Sequence, residues 1–321
     1  MKRWARVALG LLVASGMAQA QDYPSRPIRI IVGFAAGGPT DVIARVLAQD
    51  MAAAFNQSIV VENRTGANSL IATEAVAKAA PDGYTLLFAS LSHNVNAILL
   101  DKKVSYHPLR DFAPVSLAAV LPLLLVTRTE NPADTVQEML AAARAKPGET
   151  SYGSAGNGGS AHLAAALLEN LSGAKMTHVP FRGNAPALAE VMAGRVTFMF
   201  YPMIGIADQV AAKRLKVLAV GTEKRHSDYP SAPTMAESGF AGFEETAPWV
   251  GMLAPAGTPS AIVERLSEAS RKSVANAQTQ VRLKALGAIS VGNTPPEFVA
   301  FLTKDAERWA RVIKAAGVTA E

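Results

Sequence analysis

The sequence predicts an α/β protein with two lobes that face a shared ligand cleft. Two observations carry this prediction: strand segments alternate with helical segments along the chain, and one arrangement of strand, glycine loop and helix occurs twice. Strands that alternate with helices are typical of parallel βαβ units, whose ligands collect at the carboxyl ends of the strands. A glycine loop that opens a helix is a general anion site, because unpaired N–H groups and the positive end of the helix dipole converge there.

The first copy of this arrangement spans residues 28–47, IRIIVGFAAGGPTDVIARVL. Its β-branched start predicts a buried strand, and the apolar residues after the loop recur at helical spacing. Gly37 and Gly38 allow the backbone to approach a ligand closely, and Gly38 or Thr40 is the expected N-cap of the helix. Asp41 either stabilises the helix dipole by about 0.3–1 kcal/mol or accepts a hydrogen bond from a ligand or a water. We favour ligand contact, because an acid beside an anion site otherwise works against a bound carboxylate.

The next segments continue the alternation. Residues 58–63 predict a second strand, residues 70–80 a helix and residues 84–89 a third strand. Polar loops follow these three strands at one edge of the predicted sheet: residues 34–40, 64–69 and 90–94. An apolar run at residues 113–126 is interrupted by proline and serine and is no membrane span. Its last part, residues 121–126, predicts the strand that carries the chain into the second lobe.

The second copy spans residues 151–171, SYGSAGNGGSAHLAAALLENL. A short strand leads into a glycine loop, and Ser160 is expected to cap a helix with a leucine face. Ser154, Asn157 and Ser160 could serve only as caps and turns, but their density between two regular elements favours ligand contact. Two such loops indicate that each lobe offers a helix N-terminus to the same ligand.

The remaining segments complete the second lobe and return to the first. They are predicted as a helix at 135–145, a strand at 176–181, a helix at 185–193, strands at 196–201, 215–220 and 248–253, and helices at 260–276 and 296–316. Trp249 lies where the chain returns, so it is predicted as a core aromatic residue that could also cover the cleft.

The first twenty residues predict a cleaved signal peptide, with a basic start, an apolar middle and small residues up to Ala20. The chain has no cysteine, which excludes a lipoprotein anchor and leaves the core without disulfides. Removing Lys2, Arg3 and Arg6 lowers the formal charge from +5 to +2. This small positive charge suits an anionic small molecule, and the absence of long basic runs argues against a nucleic-acid partner.

Two enzyme classes remain as alternatives. Residues 156–161, GNGGSA, fit a dinucleotide-binding pattern after a strand and at a helix start, and Arg182 after the next strand would suit NADP. Residues 152–156, YGSAG, resemble a nucleophile elbow but lack the first glycine of that motif. The five histidines have no spacing that selects a catalytic base, and no zinc motif is present, so we predict neither a metal nor a cofactor.

Six segments of the chain resemble the Bug-type receptors, the substrate-binding proteins of the tripartite tricarboxylate transporter family. They are residues 23–48, 60–90, 152–168 (YGSAGNGGSAHLAAALL), 179–196 (VPFRGNAPALAEVMAGRV), 229–240 and 251–266. Together these segments span nearly the whole mature chain.

The resemblance implies a type II periplasmic-binding-protein fold, with two α/β lobes joined by two crossing strands around a ligand cleft. Residues 21–122 and 251–321 would form lobe 1, and residues 123–250 would form lobe 2. The implied function is that of a monomeric periplasmic solute-binding protein, not an enzyme. It would capture a small carboxylate, namely a mono-, di- or tricarboxylate or an acidic amino acid, by lobe closure and deliver it to membrane permease subunits. The alternative is an exported hydrolase or an NADP-type oxidoreductase that uses the same cleft.

The resemblance also places ligand-binding residues in both glycine loops and after the third strand. These are Phe34, Ala36, Gly37, Gly38, Pro39, Thr40, Asp41, Ser90, Ser92, Ser154, Ala155, Gly156, Asn157, Gly158 and Ser160. Tyr201 is included because many family members carry an acid at its position, in a region that helps to select the distal group of the ligand. Tyr201 is followed here by Pro202.

Overall fold

Two β-sheets organise the residues that this computed structural model describes, namely 23–100, 103–203 and 205–319. The predicted signal peptide at residues 1–20 lies outside these ranges. The strands are β1 (Ile28–Val32), β2 (Ile59–Asn63), β3 (Thr85–Ser90), β4 (Phe112–Val120), β5 (Leu123–Arg128), β6 (Ser151–Ser154), β7 (Thr177–Pro180), β8 (Phe198–Pro202), β9 (Leu215–Val220), β10 (Trp249–Pro255) and β11 (Ile289–Ser290).

The helices are α1 (Pro39–Phe55), α2 (Leu70–Ala77), α3 (Ser92–Leu100), α4 (Val136–Ala145), α5 (Ser160–Ser172), α6 (Asn184–Met192), α7 (Ala207–Ala211), α8 (Ser260–Ala275), α9 (Ala277–Ala285) and α10 (Pro295–Ala316). A 3-10 turn covers Phe243–Thr246. Within the described ranges, no helix has both the length and the apolar character that a membrane crossing requires.

The first sheet has the strand order β11-β4-β10-β3-β1-β2. β1 lies parallel between β2 and β3, and every residue of β1 except Arg29 is buried, as in parallel strands that are covered on both faces. α1 covers this sheet through Ile43, Leu47 and Met51, which share one helix face at four-residue spacing and are fully buried. The first predicted strand, loop and helix are therefore confirmed.

The second sheet has the order β7-β6-β8-β5-β9. β6 runs parallel to β7 and β8, whereas β5 runs antiparallel to β8 and β9. α5 packs on this sheet through Ala164 and Leu168, which are fully buried. The second predicted copy is also confirmed, except that Gly159 and not Ser160 is the N-cap of the helix.

The chain crosses between the sheets twice. It passes from β4 to β5 through Leu121 and Pro122, and it returns through Ala247 and Pro248 to β10, where Trp249 lies opposite Val120. The last helix, α10, packs against α5 over the second sheet and against α3 and β4 of the first. Two α/β lobes joined by two crossings agree with the predicted fold class.

The prediction of a loop at residues 90–94 is wrong, because α3 begins at Ser92, directly after β3. Its polar first turn is buried among partners that are distant in the sequence. The His93 Nε2 atom lies 2.8 Å from the Pro108 carbonyl oxygen, and the Asn94 amide donates to the Leu302 carbonyl oxygen at 3.0 Å. A polar stretch that looks exposed is therefore part of a helix held by the rest of the fold.

Candidate functional site

Four helices begin around a cavity of about 30 Å³ between the two sheets. Pro39 of α1 and Ser92 of α3 come from the first sheet's side, and Ser160 of α5 and Asn184 of α6 come from the second. The first N–H groups of a helix have no partner within the helix, and its dipole favours negative charge at that end. The cavity therefore combines donors from both lobes in a geometry that suits an anion.

The first glycine loop is shaped by the side chain of Asp41, which is only 2% exposed. The Gly37 N–H donates to Asp41 Oδ2 at 2.9 Å, and the Asn63 amide donates to Asp41 Oδ1 at 2.9 Å and to the Phe34 carbonyl oxygen at 2.9 Å. Arg45 donates to both carboxylate oxygens at 3.0 Å. Burial alone would raise the pKa of Asp41, but these hydrogen bonds outweigh it and lower the pKa below its usual value. Asp41 thus stabilises the first glycine loop without lining the cavity. Its contact with a ligand stays a prediction.

The second glycine loop is held by two histidines. The Ser154 hydroxyl lies 2.6 Å from His178 Nε2 and accepts from the Gly156 N–H at 3.1 Å. The Gly158 N–H donates to His162 Nδ1 at 2.9 Å. The two imidazole rings stack in parallel with their centroids 4.0 Å apart. Burial and the neighbouring His162 lower the pKa of His178 to about 3, so the ring is neutral near neutral pH.

This arrangement does not favour the two enzyme alternatives. Ser154 is fully buried, so its close contact with His178 presents no nucleophile to the cleft. Gly158 of the dinucleotide-like pattern lies against the other lobe, since a Cβ atom there would lie 2.8 Å from Leu99 Cδ1 of α3. Among the described residues, no group of three His, Cys, Asp or Glu side chains is placed to hold a metal ion.

A strained turn forms a third wall. Ala67, Asn68 and Ser69 adopt left-handed φ angles of 45°, 51° and 71°, a conformation that costs roughly 1–2 kcal/mol per residue. Gly33 permits it, because a Cβ atom there would lie 1.8 Å from Ser69 Oγ. Asn68 is locked to Asn96, whose amide donates to the Asn68 carbonyl oxygen at 2.9 Å. Asn68 Oδ1 is buried and has no hydrogen-bond partner within the described part of the chain.

A larger chamber of about 550 Å³ adjoins the small cavity. Phe34, Asn68 and Ala155 line both spaces. The chamber lies between α3 and α5. Its lining also includes residues 180–182, at and after the end of β7, and residues 316–319, at and after the end of α10. The two lobes therefore enclose a narrow space near the helix starts and a wide one beside it.

The crossing strand is anchored behind the small cavity by a buried acid. Trp249 lines the cavity, and its indole N–H donates to Asp305 Oδ2 at 2.8 Å. The Asn94 amide donates to the same oxygen at 2.9 Å, and Arg308 forms an ion pair with the carboxylate. Burial raises the pKa of Asp305. This cluster joins β10, α3 and α10, and the prediction of Trp249 as a core aromatic residue is confirmed.

The predicted site residues occupy three kinds of position. Those that line the small cavity are Phe34, Gly38, Pro39, Thr40, Ser90, Ser92, Ala155 and Ser160. Those that line the chamber beside it are Phe34, Ala155, Gly156, Asn157 and Gly158. Those that line neither space are Ala36, Gly37, Asp41, Ser154 and Tyr201.

Tyr201 lies in the core of the second lobe, where burial raises its pKa to about 12, and Pro202 lines the cavity beside it. Its effect on the ligand stays a prediction. Sequence reasoning did not select Asn68 or Asn184, although it placed both in loops that follow strands. For Asn68 a usable signal is an asparagine in a glycine-containing loop after a strand, because asparagine tolerates the left-handed conformation that Asn68 adopts.

Comparison with known proteins shows extensive similarity. A family model described as the tripartite tricarboxylate transporter family receptor matches residues 43–318. The protein BugT of Bordetella pertussis is 35% identical over 314 residues, which cover 96% of each chain. A structure of R. palustris Rpa4515 with adipate has a TM-score of 0.89 and 33% identity and covers 94% of this chain and 100% of that one. A structure of MatC from Rhodopseudomonas palustris with bound malate has a TM-score of 0.86 and 32% identity. The match covers 91% of this chain and 100% of the MatC chain.

Proposed function

This chain belongs to the tripartite tricarboxylate transporter receptor family, and on that premise we propose that it captures a small carboxylate between its lobes and delivers it to a membrane transporter. The receptors of this family bind small carboxylates and work with membrane components of the transporter. For this chain we propose location in the periplasm, removal of the signal peptide after about Ala20, a monomeric state, and binding without turnover of the ligand.

The observation that carries this proposal is the meeting of helix starts from both lobes at one small cavity. α1 begins at Pro39 and α5 begins at Ser160, and both residues line it. The first lobe contributes the N–H groups that follow Pro39, and the second contributes those around Ser160. A carboxylate group matches this set of donors in charge and in size.

The proposed mechanism is lobe closure. The lobes touch beside the cavity, since a Cβ atom on Gly183 would lie 3.1 Å from the Ala35 Cβ atom. A ligand that contacts both lobes only in this arrangement shifts the equilibrium toward it. We propose that residues 21–122 with 251–321 move against residues 123–250, and that the transporter recognises the closed form.

Carboxylate binding is tested on the mature protein by titration calorimetry with malate, adipate, citrate and acidic amino acids. We expect saturable binding of at least one of them and quantitative recovery of that ligand by chromatography. Ser160→Asp introduces a negative charge into the cavity and is expected to weaken binding more than tenfold.

Ser260→Asp is the matched control, because Ser260 is the first residue of α8 and lies outside the cavity. An acid at a helix start stabilises the helix dipole in both variants, but Ser160 is buried and Ser260 is exposed, so burial of the charge lowers the stability of Ser160→Asp alone, and thermal unfolding checks that both variants are folded when affinities are measured. Absence of binding by every carboxylate, or consumption of the ligand, would contradict the proposal. Equal affinity of the two variants would contradict the location of the site.

A further inference from the structure

We propose that Asn68 makes closure of the lobes depend on a hydrogen-bond donor in the ligand, namely a hydroxyl or ammonium group beside the bound carboxylate. This inference rests on the proposed function, because the carboxylate itself occupies the small cavity at the helix starts. It goes beyond that function by assigning the choice among carboxylates to one side chain of the first lobe.

Asn68 reaches from the first lobe onto the second glycine loop. A Cβ atom on Gly158 would lie 3.4 Å from Asn68 Nδ2, and one on Gly159 would lie 3.7 Å from Asn68 Oδ1. Gly159 is the N-cap of α5, and Asn68 lines both the small cavity and the chamber. The carboxamide therefore lies between the lobes, beside the helix start that receives the carboxylate.

The orientation of this carboxamide is fixed by Asn96. The Asn96 amide nitrogen donates to the Asn68 carbonyl oxygen at 2.9 Å, and Asn96 Oδ1 accepts from Asn68 Nδ2 at 3.2 Å. A reversed Asn68 side chain would place two carboxamide oxygens, which are both acceptors, against each other. The Asn68 Oδ1 atom therefore points away from Asn96 and lies on the side of Gly159.

The Oδ1 atom of Asn68 is unsatisfied in the closed arrangement. Asn68 is 9% exposed, and this oxygen is buried without a hydrogen-bond partner among the residues that the structure describes. A buried acceptor without a partner is unfavourable, because it has given up its hydrogen bonds to water. Since the second glycine loop lies against Asn68, separation of the lobes returns the oxygen to water. Asn68 thus opposes closure until a donor reaches it.

The second glycine loop does not supply that donor. The Gly158 N–H already donates to His162 Nδ1 at 2.9 Å, and the Gly159 N–H donates to the Gly156 carbonyl oxygen at 3.1 Å. An ionised carboxylate has only acceptors, so it pairs with the helix N–H groups but not with Asn68 Oδ1. A hydroxyl or ammonium group on the adjacent carbon provides the donor, and this group completes the closed arrangement.

The test compares acids that differ at one carbon. Succinate, malate and aspartate share a carbon chain in which that carbon carries only hydrogen, a hydroxyl or an ammonium group, and adipate and 2-hydroxyadipate form a longer pair. Both enantiomers of each chiral acid are used. In titration calorimetry on the mature protein, we expect the best donor-bearing acid of a series to bind about tenfold more tightly than its parent.

Asn68→Gly removes the carboxamide and keeps the backbone, because glycine adopts the left-handed φ of 51° without strain. The donor-bearing acid should lose affinity, whereas the parent acid should bind at least as tightly as it binds the wild type, since no unpaired oxygen is left to bury. The ratio of the two affinities should fall below about threefold. A residue that only supports the turn would weaken both acids equally.

The matched control is Asn56→Gly, the same substitution at another left-handed asparagine. Asn56 has a φ of 49°, is exposed at the end of α1 and lies outside both spaces, so both affinities should stay unchanged. Thermal unfolding checks that the variants fold. No preference for donor-bearing acids in the wild type, or an unchanged ratio in Asn68→Gly, would overturn the role of Asn68 while carboxylate binding persists. Binding of no carboxylate at all would instead overturn the proposed function.

Discussion

Removing the Asp41 carboxylate tests whether this residue shapes the first glycine loop or contacts the ligand directly. The Asn63 hydrogen bond to this buried carboxylate contributes about 1.5–3 kcal/mol. The side chain of Arg45 is 50% exposed, so its ion pair adds no more than about 1 kcal/mol. Gly37 is exposed and its N–H can turn to water. We therefore expect Asp41→Ala to lower the free energy of unfolding by about 2–4 kcal/mol.

The same substitution is expected to weaken carboxylate binding about tenfold, because the loop is no longer held in its binding conformation. Asp41→Asn is the matched variant: it keeps one acceptor oxygen for Gly37 or Asn63, so both effects should be smaller. Urea denaturation and titration calorimetry on the same samples provide the two measurements. A loss of affinity at unchanged stability would refute this reasoning and would show that Asp41 contacts the ligand directly.

The pH dependence of stability gives an independent check. Burial would raise the pKa of Asp41, but hydrogen bonds from Arg45, Gly37 and Asn63 hold it below the usual value. The unfolded chain therefore binds a proton at a higher pH than the folded chain does. The contribution of Asp41 is complete above its unfolded pKa of about 4 and is lost as the pH falls through the lower folded pKa. As the pH falls below 5, Asp41→Ala should therefore lose less stability than the wild type does, measured by urea midpoints. If stability depended on pH equally steeply in both proteins, the lowered pKa of Asp41 would be contradicted.

Three further predictions concern the walls of the site. Gly158→Ala should weaken carboxylate binding at least tenfold in calorimetry, because the residue has a φ of 73° and its new Cβ atom would lie 2.8 Å from Leu99 Cδ1; unchanged affinity would mean that the lobes do not close as described. Burial lowers the pKa of His93 to about 4, so the unfolded chain takes up the proton first and the stability of the wild type falls between about pH 6.5 and 4. His93→Phe should therefore flatten the dependence of unfolding free energy on pH in this range, measured by urea denaturation. A dependence as steep as that of the wild type would show that another group causes the loss of stability. Trp249→Phe should lower the free energy of unfolding by about 2–3 kcal/mol, since it removes a hydrogen bond to the buried Asp305 carboxylate; a neutral result in chemical denaturation would show that the carboxylate finds another donor.

The sequence alone determined the two strand–loop–helix copies and the α/β class, because these depend on local patterns. The β-branched run of β1 and the apolar spacing of α1 need no information from elsewhere in the chain. The glycines of both loops are likewise a local signal, because a residue without a side chain is favoured where the backbone turns tightly or approaches a ligand closely. The family resemblance included these two copies among six segments that span nearly the whole mature chain, and the comparisons confirmed it.

Only the tertiary structure decided which polar groups line the two cavities and which are held by distant parts of the chain. Asp41 looked available in the sequence, but Asn63, from the neighbouring strand, occupies its carboxylate. The polar start of α3 looked like a loop, but Asp305, more than two hundred residues later, binds Asn94 within the fold. Hydrogen bonds and burial join residues that are far apart along the chain, and local patterns carry no record of those partners.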